Sequence, residues 1–202
     1  MGPGKAGPSV AVATGVTIRL TLLAAALSLL LTSAGCTSMA PQKFEGAVPA
    51  FDPISFFEGP VRSWGVIESR KGNPRSRFRT EVQGQWNGPS LTLTQHFFYE
   101  DGHKQDRVWQ VRAAGPHRFE ATANDVAGTA IGVAYGNTFF WEYTLALRPG
   151  NPLMNVRMHH WMYLQSDGTM TNRVRVTKLG ITLARITEHF QRGEAVMPSI
   201  GP

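Results

Sequence analysis

The chain has 202 residues, with 20 Lys plus Arg against 14 Asp plus Glu, a formal net charge of +6 and a single cysteine. That length holds one domain with a real core and is short for two, and one cysteine excludes a disulfide framework. The basic residues are scattered rather than clustered among exposed aromatics, which argues against a nucleic-acid partner.

The first element is LTLLAAALSLLLTSAG, residues 20–35, which follows Arg19 and carries no charge. It is as long as the apolar core of a secretory signal and shorter than the ~20 residues a spanning helix needs. Ser33, Ala34 and Gly35 then lead into Cys36. This order resembles the lipobox of bacterial lipoproteins, in which the cysteine thiol receives a diacylglyceryl group and becomes the first residue after cleavage. The other reading is an ordinary signal, or a short buried helix, that leaves a free thiol. Lipidation is carried forward because a lone thiol on an exported protein is reactive and acylation removes it. Thr37 stands where many lipoproteins kept in the inner membrane have aspartate. The expected location is therefore the cell envelope, lipid-anchored at the periplasmic face of the outer membrane. We expect a signal peptide over 1–35, a tether over 36–50, a barrel domain over 51–192 and a loose tail over 193–202. Without Lys5 and Arg19 the remaining chain has 18 basic and 14 acidic residues, a modest +4.

FDPISFFEG, residues 51–59, reads as a short helical turn that plugs one end of the domain. RKGNPRSRFR, residues 70–79, reads as a basic hairpin and strand edge facing an anionic membrane surface. Beyond it the pattern is period two. In FRTEVQGQW the residues Phe78, Val82 and Trp86 share a face; in NTFFWEYTLALR, Phe139, Trp141, Tyr143, Leu145 and Leu147 do; in NVRMHHWMYLQ, Val156, Met158, His160, Met162 and Leu164 do. ITLARITEHF alternates less cleanly. Such alternation marks strands with one face on a core. The Asn-Gly and Asp-Gly pairs at 87–88, 101–102 and 167–168 supply hairpin turns. The expected fold is all-β, an antiparallel up-and-down barrel of lipocalin or calycin type with about 8–10 strands, because closure removes the sheet's edges.

A barrel of that size is either filled by side chains or holds one small ligand. Trp86, Phe97, Tyr99, Trp141, Tyr143, Met158 and Met162 are expected inside. Gly128, Gly132 and Gly136 recur every fourth residue in DVAGTAIGVAYGN, residues 125–137. That spacing suits a strand whose missing side chains leave room for a neighbouring tryptophan or for a ligand. It is not a phosphate loop or a dinucleotide fingerprint, and no cofactor is expected.

The run from Asp125 through Asn137 to Trp141, Tyr143 and Leu145 resembles the signature of a family of bacterial lipoproteins labelled domain of unknown function 3833. FFEGPVRSWG at 56–65, FFYEDG at 97–102, RVW at 107–109, WMY at 161–163 and NRVRVTKLG at 172–180 agree in order. The resemblance implies a lipid-anchored envelope protein and no assigned reaction. His159 and His160 stand where that family tends to have acidic residues.

His159 and His160 are adjacent, so they face opposite sides of a strand and cannot share a metal; no metal site is expected. No HExxH or GxSxG order is present. Asp125, Asn137, Arg107, Asn172 and Arg173 are the polar residues expected to converge, unless Asp125 caps a turn and an arginine stacks on Trp64. Two classes of function follow. The first is a binding module for a hydrophobic small molecule, an acyl chain or similar, in a pocket of Trp141, Tyr143, Met158, His160, Met162, Gly128, Gly132, Asp125 and Arg107. The second is an enzyme acting on membrane lipid through Asp125 or His160; a filled barrel would instead leave a structural scaffold.

Overall fold

The alternating segments form ten strands in the computed structural model: β1 (Gly59–Ser69), β2 (Pro74–Trp86), β3 (Leu91–Tyr99), β4 (Lys104–Ala113), β5 (Arg118–Ala123), β6 (Val126–Tyr135), β7 (Thr138–Ala146), β8 (Asn155–Leu164), β9 (Met170–Lys178) and β10 (Ile181–Arg192). Each pairs antiparallel with the next and β1 pairs with β10, which closes the sheet into a lipocalin-like up-and-down barrel. The structure describes residues 39–193 together with Met1, Gly2 and Gly4. The expected signal peptide, Cys36 and the tail beyond residue 193 lie outside the described residues. Among the described residues no helix is long and apolar enough to cross a membrane.

One end of the barrel is plugged by α1 (Pro53–Phe57). Asp52 starts this helix: its carboxylate accepts from the Ile54 N–H at 3.0 Å and from the Ser55 hydroxyl at 2.6 Å, satisfying orphan donors of the first turn. Phe56 packs edge-on against Phe51 and Phe57, and Phe57 against Phe190. The expected tether is partly ordered here. Pro41–Phe44 forms a 3-10 turn, and the Phe44 ring lies 5.8 Å from Tyr163 and 6.3 Å from Trp161, centroid to centroid. At the opposite end lie the turns between β1 and β2, β3 and β4, β5 and β6, β7 and β8, and β9 and β10. This end has no helical plug among the described residues.

Register decides what points inward. Gly132 on β6 lies opposite Trp141 on β7 and opposite Phe119 on β5. A Cβ at Gly132 would collide with the Trp141 and Phe139 rings, so the missing side chain holds aromatic rings and opens no empty space. Gly128 departs further from expectation. It sits exposed in an irregular stretch of β6 at φ +78°, away from the interior. Gly84 on β2 lies beneath the plug, and a Cβ there would fall on the Phe57 carbonyl oxygen. Trp86 was also expected inside; it ends β2 at the plugged rim, and 44% of it is exposed.

These contacts predict two destabilising substitutions. Gly84→Ala should lift the plug and Gly132→Leu should displace the Trp141 ring, each costing about 1–3 kcal/mol through overpacking. Thermal melting of the variants should show Tm lowered by about 2–4 °C for each kcal/mol. A Gly132→Leu protein as stable as wild type would contradict the packing described.

Candidate functional site

The barrel encloses a cavity of about 440 Å³. It runs from Pro53 and Phe57 in the plug to Ile67, Leu147 and Leu183 at the other end. Its walls are mostly apolar: Phe78, Leu93, Phe97, Trp109, Trp141, Val156, Met158, Met162, Val174 and Ile186 among them. Volume and lining match those of small-molecule sites, which are concave, largely apolar and carry a few placed polar groups.

The polar groups form one connected row across the interior. It begins with Arg107, buried on β4, and Asp125 in the turn after β5. The Arg107 Nε donates to both carboxylate oxygens at 2.8 and 2.9 Å, and Nη2 donates to Oδ2 at 2.7 Å. The Gln105 amide adds a bond to Asp125 at 2.9 Å. From the other side of the guanidinium, Nη1 donates to the Tyr143 hydroxyl oxygen at 3.3 Å, and His160 Nε2 lies 3.2 Å from the same oxygen. The Asn172 amide nitrogen donates to His160 Nδ1 at 3.1 Å and to Glu188 Oε2 at 3.2 Å. The Ser63 hydroxyl donates to Glu188 Oε1 at 2.5 Å and lies 2.6 Å from the Thr80 hydroxyl.

Bond directions assign the protons. Asn172 offers N–H to Nδ1, so that nitrogen accepts and the neutral imidazole carries its proton on Nε2. Nε2–H and the guanidinium then both donate to the Tyr143 oxygen, which leaves the tyrosine's own hydrogen unused within the row. Asn172 Oδ1 is buried with no hydrogen-bond partner among the described residues. Burial, seconded by the positive charge of Arg107, lowers the His160 pKa to about 3. Burial raises the Glu188 pKa to about 7, against hydrogen bonds from Ser63 and Asn172 and the charge of Arg107. Burial also raises Tyr143. No cation forms an ion pair with Glu188 among the described residues.

Of the residues nominated from sequence, Arg107, Trp141, Tyr143, Met158, His160 and Met162 line the cavity. Asp125 reaches it only through Arg107 and Gln105. Gly128 and Gly132 are not part of its wall. Asp125 and His160 are not hydrogen-bonded to each other; Arg107 and Tyr143 stand between them. Asn172 joins the row, whereas Arg173 points outward and Asn137 lies in the β6–β7 turn, bonded to Thr138. Trp64 is also outward and exposed, so no interior arginine stacks on it. His159 faces away from His160, toward Glu142 and Thr177. Among the described residues no three His, Cys, Asp or Glu side chains converge as metal ligands.

Glu188, Ser63, Thr80 and Gln105 were missed. Glu188 had a signal: in ITLARITEHF it falls in phase with Ala184, Ile186 and Phe190, a carboxylate on the apolar face. Ser63 likewise falls in phase with Val61, Gly65 and Ile67.

Fold and cavity together define a lipocalin-like barrel with an internal site. Residues 30–192 match the family described as Protein of unknown function (DUF3833), and the chain belongs to that family. No curated protein matches the sequence. Among solved structures the chain is similar to the S-type phycobiliprotein lyase CPES from Guillardia theta, at TM-score 0.53 and 7% identity, over 70% of this chain and 91% of that one. A redesigned β-barrel, mFAP1, bound to DFHBI aligns at TM-score 0.36 and 11% identity over 69% of this chain and 97% of that one. The likeness to the lyase concerns the fold.

His160 and Glu188 pull stability in opposite directions with pH. His160 is neutral when folded, so its contribution is present above about 6.5 and is lost as pH falls toward about 3. Glu188 binds its proton more tightly when folded, so its contribution is present below about 4.5 and is lost as pH rises through about 7. Between about 4.5 and 6.5 the two slopes offset. Glu188→Gln should therefore gain stability over wild type by a few kcal/mol as pH rises from about 4.5 to 7. Denaturant titrations at several pH values would show this; a constant difference across that window would mean Glu188 is not buried as described.

Proposed function

We propose that this protein binds an elongated, largely apolar small molecule, an acyl chain or similar, inside its barrel while anchored by lipid at Cys36 to the cell envelope. The observation that carries the reading is the 440 Å³ cavity with apolar walls and one polar row. Burial of a chain against these walls contributes about 0.8 kcal/mol per methylene. The row orients the polar end: the Tyr143 hydroxyl and the Glu188 carboxyl face the same space. Trp141, Tyr143, Met158, His160, Met162 and Arg107 are the ligand-facing residues in this reading, and Asp125 positions Arg107. The methionines add adaptability, because an unbranched thioether fits several ligand shapes. An open interior favours a carrier over a scaffold whose core is filled. An enzyme relying on Asp125 or His160 as acid or base is disfavoured: Asp125 is held by Arg107, and His160 stays neutral down to about pH 3. The membrane half of the proposal rests on the sequence around Cys36, in an envelope location at the periplasmic face of the outer membrane.

Protein taken from its own envelope should carry an extractable apolar molecule by native mass spectrometry. After delipidation it should bind a fluorescent fatty acid. Val174→Phe, which pushes a ring into the cavity from mid-barrel, should weaken that binding about tenfold or more, since it removes the space of several methylenes. No extractable molecule and no probe binding would leave the scaffold reading in its place.

The anchor has its own check. Mass spectrometry of detergent-extracted protein should find a diacylglyceryl adduct on Cys36, and Cys36→Ser should abolish that adduct. An unmodified thiol on soluble protein would overturn the localisation.

A further inference from the structure

The unplugged end of the barrel gathers several exposed apolar side chains. Leu179 at the β9–β10 turn is 94% exposed and Leu153 in the β7–β8 loop is 81% exposed; Leu147, Met154, Ile181 and Leu183 are exposed beside them. Leu179 also holds a left-handed backbone, φ 48°, the one non-glycine residue to do so among those described. A leucine there meets neither the turn's preference for Gly or Asn nor the core's demand for apolar side chains. Backbone strain at an exposed apolar tip is an outlier from which function can be inferred.

These tips are physically joined. The Lys178 ammonium donates to the Leu153 carbonyl, tying the β7–β8 loop to the end of β9. Arg185 donates to the Arg70 carbonyl at 2.8 Å, tying β10 to the β1–β2 turn. Leu147 and Leu183 line the cavity as well as the outer rim. The apolar rim is therefore continuous with the interior.

Around the rim stand Arg70, Lys71, Arg75, Arg148 and Lys178. Nearby acidic residues are Glu68, Asp101, Glu100, which pairs with Arg77 at 3.5 Å, and Asp125, which pairs with Arg107 at 2.7 Å. The balance is positive. Exposed leucines ringed by cations suit a bilayer with anionic headgroups: the apolar tips enter the acyl boundary while the cations meet the headgroups.

We propose that the unplugged rim docks on an anionic phospholipid bilayer, so that the cavity opens directly against lipid. The chain enters at the opposite, plugged end, where Phe44 packs on Trp161 and Tyr163, so the bilayer that the rim meets is a second one, facing the membrane that would hold Cys36. The docking also makes use of the cavity reading, since a rim seated in the acyl boundary lets an apolar ligand enter without crossing water.

The chain has one cysteine, so Cys36→Ser followed by Leu179→Cys gives one labelling site on the rim, and Cys36→Ser with Asn87→Cys gives one at the plugged end. Full-length proteins carrying an environment-sensitive fluorophore at either place are mixed with phosphatidylethanolamine/phosphatidylglycerol vesicles containing doxyl lipid. The apolar segment at 20–35 can insert by itself, so the readout is the difference between the two ends. The label at 179 should be quenched and the label at 87 should not, and the effect should weaken with salt. Lys71→Gln and Arg148→Gln should each lower partition about fivefold, the equivalent of about 1 kcal/mol. Equal quenching at both ends, no dependence on anionic lipid, or self-association abolished by Leu179→Ser would overturn the proposal, the last by making a second copy the occupant. Leu153→Ser/Leu179→Ser leaves the cavity wall intact and should bind a fatty-acid probe normally in vesicle-free solution. Failure of the wild type to bind that probe would count against the cavity reading alone, while the quenching still judges the docking.

Discussion

Closing ten strands into one sheet sets a circumference, and the rest of the molecule follows from it. Barrel diameter grows with strand number, and at about eight strands side chains can just fill the interior. With ten, the inward residues of opposite walls do not meet everywhere, and the cavity is what remains. The protein uses large side chains to narrow that space and small ones where large neighbours need it. Trp109, Trp141 and Tyr143 meet edge-on in the interior. Gly132 and Gly65 yield their space to Trp141, Phe139 and Phe78, and Gly84 yields its space to the backbone of the plug.

A wide apolar interior makes each polar group within it expensive, and the row from Asp125 to Thr80 shows how the expense is limited. Arg107 keeps its charge because Asp125 meets it with both oxygens; removing one partner of such a buried pair costs about 3–5 kcal/mol. His160 remains neutral and Glu188 shifts toward neutrality, so burial changes protonation instead of holding two more charges out of water. The unpartnered Asn172 oxygen is the exception, a deficit of about 1–3 kcal/mol that packing alone does not explain. Polar groups kept in an apolar cavity at such cost are the ones the proposed site would use to orient a ligand.

The fold was legible because its signal is local. Period-two alternation in β2, β7 and β8, with Asn-Gly and Asp-Gly turns between strands, points to an antiparallel sheet without any long-range information. That a short helix plugs one end was legible too, since Asp52-Pro53 suits a helix start and the phenylalanines after it suit burial. The inward faces followed from parity, which placed His160 inside and His159 outside. Parity failed where a strand meets its rim, as at Trp86, and where its register shifts, as at Gly128.

What the sequence by itself determined was the barrel and its inward rows, because their signals are written within about ten consecutive residues. Only the tertiary structure decided that Gly132 is occupied by rings rather than open to a ligand, and that Asp125 serves Arg107 rather than His160. It alone joined Glu188 to Asn172 and Ser63, and gathered Leu147, Leu153, Leu179 and Leu183 on one rim. Ser63 and Glu188 are 125 positions apart in the chain. Their meeting depends on the closure of β1 onto β10, and no local pattern carries the partner that a strand finds when the sheet closes on itself.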